Sequence, residues 1–379
     1  PGAFLNAYLQ EVVYMRLEGV VADTLIMIAP EVYGPMANKN SAGVTVLYVQ
    51  LTRALYGCLK SSLRWYLQLS RVLQDEGFVE NTYDSCVMNK DINGSQCTIC
   101  WHVDDLKISH ADPAVVDEIL RVLTSIYGPL SVERGRKHTY LGIDLDYSVA
   151  GEVSVSMVPY MQEIVDDYPE DLSGKSARTP AASCLFDINP DPVYLPKKQA
   201  DVFHRTVAKL LWASLRARPD ILLAISFLTS RVKRPDEDDW GKLTRLVVYI
   251  KATINLRLRL SLDGMGVSKW WIDALFATRD QMEHQTGGNL LMGRGTVFSF
   301  SKKQKLVIKS STEAELVGVD DVLPQVIWTR NFLLAQGWKV NDTVVYQDNK
   351  SAILLETNGR ASSSKRTRHI HIWYYFVKD

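Results

Sequence analysis

Cys97-Thr98-Ile99-Cys100-Trp101-His102-Val103-Asp104-Asp105-Leu106-Lys107-Ile108 reads as two strands that meet at a tip carrying two adjacent acids. Ile99, Trp101 and Val103 fall on one face of the first strand and Cys100 and His102 on the other. Asp104 and Asp105 interrupt the alternation, and Leu106-Lys107-Ile108 resumes it. Acids at such a tip add little to packing. Carboxylates are hard oxygen ligands for Mg2+, and two-ion sites for phosphoryl transfer hold their ions roughly 3.5–4 Å apart. Taken alone, the pair is better explained by a solvated β-turn, so its neighbours decide.

Three stretches fall in a common order: Gly2-Ala3-Phe4-Leu5-Asn6-Ala7-Tyr8-Leu9, Leu51-Thr52-Arg53-Ala54-Leu55-Tyr56-Gly57 and Trp101-His102-Val103-Asp104-Asp105-Leu106. Together they resemble the reverse transcriptase of copia-type retrotransposons. Tyr140-Leu141-Gly142-Ile143 resembles that family's primer-grip region, and the C-terminal third resembles its ribonuclease H domain. The Trp-His variant before Val-Asp-Asp and the run Ser362-Ser363-Ser364-Lys365-Arg366-Thr367-Arg368-His369 are most similar to elements of algal or diatom type.

The resemblance implies an α+β right-hand polymerase followed by an α/β ribonuclease H-like domain. Partial fingers, palm and primer grip would occupy residues 1–188, thumb or connection helices 189–265, and the ribonuclease H-like domain 266–379. It implies RNA-directed DNA synthesis with degradation of the RNA strand of the hybrid, in Mg2+ or Mn2+. The partners would be an RNA template, a DNA primer, the RNA–DNA hybrid and deoxynucleotides, with no membrane. The location would be the cytoplasm, inside a virus-like particle if expressed, with nuclear access open. Phe4, Tyr56 and Gly57 would line the nucleotide site, Phe4 screening the sugar 2′-carbon and Gly57 letting the backbone approach.

Composition agrees. A chain of 379 residues holds two or three domains with sizeable cores. Its 43 basic residues balance 43 acidic ones, so nucleic-acid contact must come from local patches rather than bulk charge. Five cysteines and no long apolar run point to a reducing, soluble setting. Cys97 and Cys100 lie on opposite strand faces without further suitably spaced ligands, which argues against zinc. Nothing in the sequence sets an oligomeric state.

Leu63, Tyr66, Leu67 and Leu73 recur at helical spacing before Gly77, and Asp112-Pro113 caps a helix with Val116, Ile119, Leu120 and Leu123 inward. Strands are expected around Leu141–Asp146 and Val153–Met157. Three helices follow between Gln199 and Thr253, separated by Pro219 and Pro235, with Phe203, Val207, Leu210, Leu222, Ile225, Leu228, Leu243, Leu246, Val247 and Ile250 among their apolar positions. Trp240 and the pair Trp270-Trp271 read as core rather than as stacking platforms.

A second set of acids begins with Trp271-Ile272-Asp273-Ala274, a strand ending in a carboxylate. A hairpin turns at Gly293-Arg294-Gly295, with a third strand at Leu306–Ile308. Ser310-x-x-Glu313 is a capping box that puts Glu315 in the first turns of a helix. Val344-Val345-Tyr346-Gln347-Asp348-Asn349 is a strand ending in an acid, and Lys350–Glu356 the next helix. This order resembles ribonuclease H, whose motif acids would be Asp273, Glu315 and Asp348, holding two Mg2+ ions. Glu313 and Glu315 remain interchangeable at this stage.

Two departures matter. The third polymerase carboxylate would fall just before Pro1, so the chain is expected to be an N-terminally truncated, impaired copy without measurable primer extension. His369-Ile370-His371 stands where the family often reads His-Ile-Asp, which puts His371 at the fourth ribonuclease H position, and neutral imidazole suits Mg2+ poorly. The alternative is an inactive relic that keeps nucleic-acid binding or no role. Lys302, Lys303 and Lys305 with Lys309, and Lys365, Arg366 and Arg368 with His369, form two basic clusters suited to phosphates.

Overall fold

The computed structural model describes residues 2–275, 284–306, 308 and 310–358. The chain forms two units, Pro1–Ser131 and Val132–Asp379.

The first unit starts with β1 (Tyr8–Glu18), α1 (Val20–Ile28), α2 (Pro30–Tyr33), β2 (Asn38–Lys39) and β3 (Thr45–Arg53), whose strands form an antiparallel sheet in the order β1-β3-β2. Then come α3 (Ser61–Asp75), β4 (Val79–Asn81), β5 (Asp84–Ile92), β6 (Ser95–His102), β7 (Asp105–Ser109) and α4 (Pro113–Tyr127). The last four strands make a meander, β4-β5-β6-β7, as the hairpin reading requires. One face of β6 is apolar because the alternation is strict: Cys97, Ile99 and Trp101 are buried, together with Trp65, Leu69 and Leu73 of α3 and Ile119 and Leu123 of α4. The inward face of α3 therefore differs from the expected one. Leu63 and Leu67 are exposed, and the larger Trp65 takes the core position with Leu69 and Leu73 at i, i+4 and i+8. Asp112 caps α4 as expected, accepting from the Ala114 N–H at 2.9 Å.

The second unit opens with β8 (Lys137–Tyr140), β9 (Ile143–Asp146) and β10 (Val153–Ser156). Leu141 lies in the tight turn rather than in a strand, because Leu141 and Gly142 both have positive φ (52° and 74°), the pairing that closes a two-residue hairpin. Next are α5 (Val158–Asp166), α6 (Lys197–Ser214), α7 (Leu222–Arg231) and α8 (Glu237–Ala252). Phe203, Leu210, Ile225, Leu228, Leu243, Leu246, Val247 and Ile250 are fully buried in one core.

β11 (Leu258–Leu262), β12 (Val267–Leu275), β13 (Gln285–Leu291), β14 (Gly293–Arg294), β15 (Thr296–Lys303), α9 (Ser311–Ala335), β16 (Asp342–Tyr346) and α10 (Lys350–Asn358) complete the unit. One sheet runs β15-β13-β12-β16, antiparallel except that β16 lies parallel to β12. The other runs β14-β11-β10-β9-β8. The third strand of the first sheet is thus Thr296–Lys303, not Leu306–Ile308. Phe298 and Phe300 alternate with serines over a full strand length, whereas Ile308 is buried singly with Ala274, Ala314 and Val317. Gly295 closes the β14–β15 turn at φ 79°, where an added Cβ would meet the Arg259 carbonyl oxygen at 2.1 Å. Trp270 and Trp240 are core, but Trp271 is half exposed and stacks on Tyr346 with ring centroids 4.2 Å apart.

Arg231 at the end of α7 holds two carboxylates of the α8 capping box. Its Nε donates to both Asp239 oxygens at 3.0 Å and its Nη2 to Asp236 at 3.2 Å, while Asp236 and Asp239 are almost fully buried. Arg231→Met should leave two buried acids without their cation and destabilise the unit by about 3–5 kcal/mol. Urea unfolding followed by circular dichroism checks this. Adding Asp239→Asn should recover part of the loss, and a midpoint equal to the parent's would refute the expectation.

Candidate active site

His102 pairs with Asp105, so the tip of the first unit's hairpin is the two-residue turn Val103-Asp104. Val103 carries a φ of 55°, a strained value for a β-branched residue, and is therefore a turn residue rather than part of the strand face. Trp65 Nε1 donates to the Val103 carbonyl at 2.7 Å and fixes the turn from below. Asp105 projects into solvent, while Asp104 is half-buried. Tyr56 Oη donates to Asp104 Oδ2 at 2.5 Å, and this bond raises the Tyr56 hydroxyl above its ordinary pKa. The Tyr56 ring packs on Phe4 at 4.4 Å. Gly57 follows at φ 96°, with open space where a side chain would stand. Phe4, Tyr56, Gly57 and Asp104 are therefore neighbours across 101 positions of sequence, from 4 to 104. Asp104 Oδ1 is buried without a hydrogen-bond partner among the described residues. Such an orphaned acceptor calls for a cation or a water, and the all-oxygen donors suit Mg2+ or Mn2+.

The second cluster follows from strand register. Trp271 pairs with Tyr346 across the parallel β12 and β16, so residues two further on, Asp273 and Asp348, emerge together. Helix α9 supplies the third acid. Its Gly318 packs on Ala274 and Thr286, with a Cβ position 3.5 Å from each, which lets the helix lie close to β12 and β13. Ser310 caps it, accepting from the Glu313 N–H at 3.2 Å. One turn on, Glu315 is buried, 6% exposed, and ligand atoms of Asp273, Glu315 and Asp348 all lie within 4.8 Å of one another. Burial, then the charges of Asp273 and Asp348, push the Glu315 carboxyl up to about 7, opposed by a hydrogen bond from Gln347. Gln347 Nε2 donates to Glu315 Oε2 at 3.1 Å. Three oxygen donors that repel one another and lack a cation among the described residues form a donor set that fits a divalent ion.

Glu313 sits at the helix cap, and the cluster takes Glu315. Lys302 and Lys303 end β15 and Lys305 follows it. Lys302 and Lys305 counter the burial-driven rise of the Asp321 carboxyl on α9, so part of that basic cluster answers an acid of its own fold. His371, Lys365, Arg366 and Arg368, with Lys309, lie outside the described residues. Sequence reasoning missed two polar partners, Trp65 and Gln347. Gln347 carried a usable signal: a polar residue one position before Asp348 continues the strand alternation toward the side of Val345 and α9.

Residues 2–181 match the family described as reverse transcriptase (RNA-dependent DNA polymerase). Over its whole length the chain is similar to the retrovirus-related Pol polyprotein from transposon TNT 1-94 of Nicotiana tabacum, at 24% identity over 384 residues, 100% of this chain and 27% of that protein. It is 27% identical over 375 residues to the Pol polyprotein from transposon RE1 of Arabidopsis thaliana, covering 96% of this chain and 24% of the relative. It is also 22% identical over 328 residues to the putative transposon Ty5-1 protein of Saccharomyces cerevisiae, covering 86% of this chain and 98% of that one. The chain is thus similar, over most of its length, to the Pol polyproteins of copia-type retrotransposons. It spans about a quarter of the length of the first two relatives. Among the described residues, no helix is long and apolar enough to cross a membrane.

Proposed function

We propose that this chain acts in RNA-directed DNA synthesis and in degradation of the RNA strand of the resulting hybrid. The observation that carries the second activity is the convergence of Asp273, Glu315 and Asp348 within 4.8 Å, from the strand, helix and strand order that the ribonuclease H reading requires. The first activity rests on the family match and on the neighbourhood of Phe4, Tyr56, Gly57 and Asp104. On this reading residues 1–188 are fingers, palm and primer grip, 189–265 thumb or connection, and 266–379 the nuclease, with an RNA template, DNA primer and deoxynucleotides as partners. The virus-like particle and nuclear access belong to the same proposal, as does the likeness to algal or diatom elements.

Divalent ions, when bound, would neutralise phosphate charge and activate the attacking oxygen. The chain's own part is positional. Asp104 in the hairpin turn and Asp105 at the start of β7 present adjacent carboxylates, Phe4 and Tyr56 form an aromatic wall beside Asp104, and Gly57 leaves room for the nucleotide. Lys302, Lys303, Lys305, Lys365, Arg366 and Arg368 would meet phosphates, and His371 would stand beside the nuclease acids.

A labelled DNA primer on an RNA template tests the nucleotide site without requiring turnover. In Mg2+ the next complementary deoxynucleotide should slow dissociation of the complex by about tenfold, as an added contact of roughly 1.4 kcal/mol would. Asp104→Asn with Asp105→Asn should remove that effect. Equal dissociation with matched and mismatched nucleotides would overturn the assignment.

A further inference from the structure

We propose that Gln347 is a positioning residue that occupies one oxygen of Glu315 and thereby biases the Asp273, Glu315 and Asp348 cluster toward Mg2+ over Ca2+. The inference rests on that cluster being an ion site. Gln347 Nε2 donates to Glu315 Oε2 at 3.1 Å, and Gln347 Oε1 accepts from the Asn349 backbone N–H at 2.9 Å. These two bonds fix the amide. Turned over, its oxygen would face a carboxylate and its NH2 a backbone donor, both unfavourable. The strand supports it as well, since Val345, two residues earlier, packs against the cluster around Trp270, Ile272 and Val319 under α9.

A carboxylate with one oxygen held by an amide donor offers the other to a cation. Mg2+ accepts single oxygens in near-ideal octahedral order at about 2.0–2.1 Å, whereas Ca2+ takes more oxygens and uses both from one carboxylate when it can. Gln347 therefore withdraws from Ca2+ a ligand that Mg2+ does not use. Partners of this kind, acting through a ligand, commonly change metal affinity by about 10–100-fold.

Calorimetric titration with Mg2+ and with Ca2+ tests the inference, using the full chain with Asp104→Asn and Asp105→Asn as the parent so that the first unit's acids do not contribute, and comparing it with added Gln347→Met and with added Asp348→Asn. Gln347→Met should lower the preference for Mg2+ over Ca2+ by about tenfold. Gln347→Asn, one methylene short of Glu315, should do the same and carries the comparison if Gln347→Met does not fold. An unchanged ratio in a folded variant, with binding lost in Asp348→Asn, overturns the role of Gln347 alone. A parent that binds neither ion, or an Asp348→Asn variant that binds as the parent does, overturns the ion site and this inference with it.

Discussion

Asp348→Asn is expected to lower cleavage of the RNA strand of a hybrid by a thousandfold or more, about 4 kcal/mol of transition-state stabilisation, in Mn2+ and in Mg2+ alike. Asparagine keeps the size and shape of the side chain and removes its charge. Asp348 and Asp273 are both exposed at the ends of β16 and β12, so neither contributes to a core. The loss should therefore appear in the reaction and not in the fold. End-labelled RNA within the hybrid, followed by gel separation, gives the rate, and circular dichroism confirms folding. If Asp348→Asn cleaves at the parent's rate, the three-acid cluster is not the reactive centre.

Glu315 predicts a large effect of the opposite sign on stability. Its carboxyl is raised to about 7 from an ordinary 4.5, so the folded chain binds this proton more tightly than the unfolded chain does. The ionised form is penalised in the fold. That penalty is absent below about pH 4.5, grows as the pH rises toward 7, and is complete above it. A shift of this size corresponds to about 3 kcal/mol. In the absence of divalent ions, Glu315→Gln should thus be more stable than the parent at pH 8 by up to about 3 kcal/mol and nearly equal to it at pH 4.5. Mg2+ or Mn2+ at pH 8 should stabilise the parent and narrow the gap, because a bound cation replaces the missing compensation. Urea unfolding at the two pH values, with and without metal, reads all four quantities. Equal stability of parent and variant at pH 8 without metal would contradict this account of the cluster.

Much of this was legible in residue order. The hairpin at Asp104-Asp105 announced itself because two charges break a strict alternation, and the three helices from Lys197 to Ala252 because their apolar positions repeat at the helical period. The left-handed Val103 was not legible, since a valine predicts the reverse; the Trp65 bond and the closure of the hairpin impose it. The buried face of α3 was misjudged because several leucines fit helical spacing, and only contact with β6 selects Trp65, Leu69 and Leu73. Glu313 and Glu315 were interchangeable until the close approach of Gly318 to β12 and β13 oriented the helix. Convergence of Asp273 with Asp348 depended on a parallel register between strands about seventy residues apart, which local pattern does not encode.

The most direct measurement uses the full chain with an RNA–DNA hybrid labelled on either strand, in Mg2+, in Mn2+ and in excess chelator. The labelled RNA should be cut in Mn2+, and more slowly in Mg2+, with the DNA strand intact and no cutting in chelator. A folded chain that leaves the RNA whole in both metals, or that cuts it equally well in chelator, would contradict the proposed two-ion nuclease.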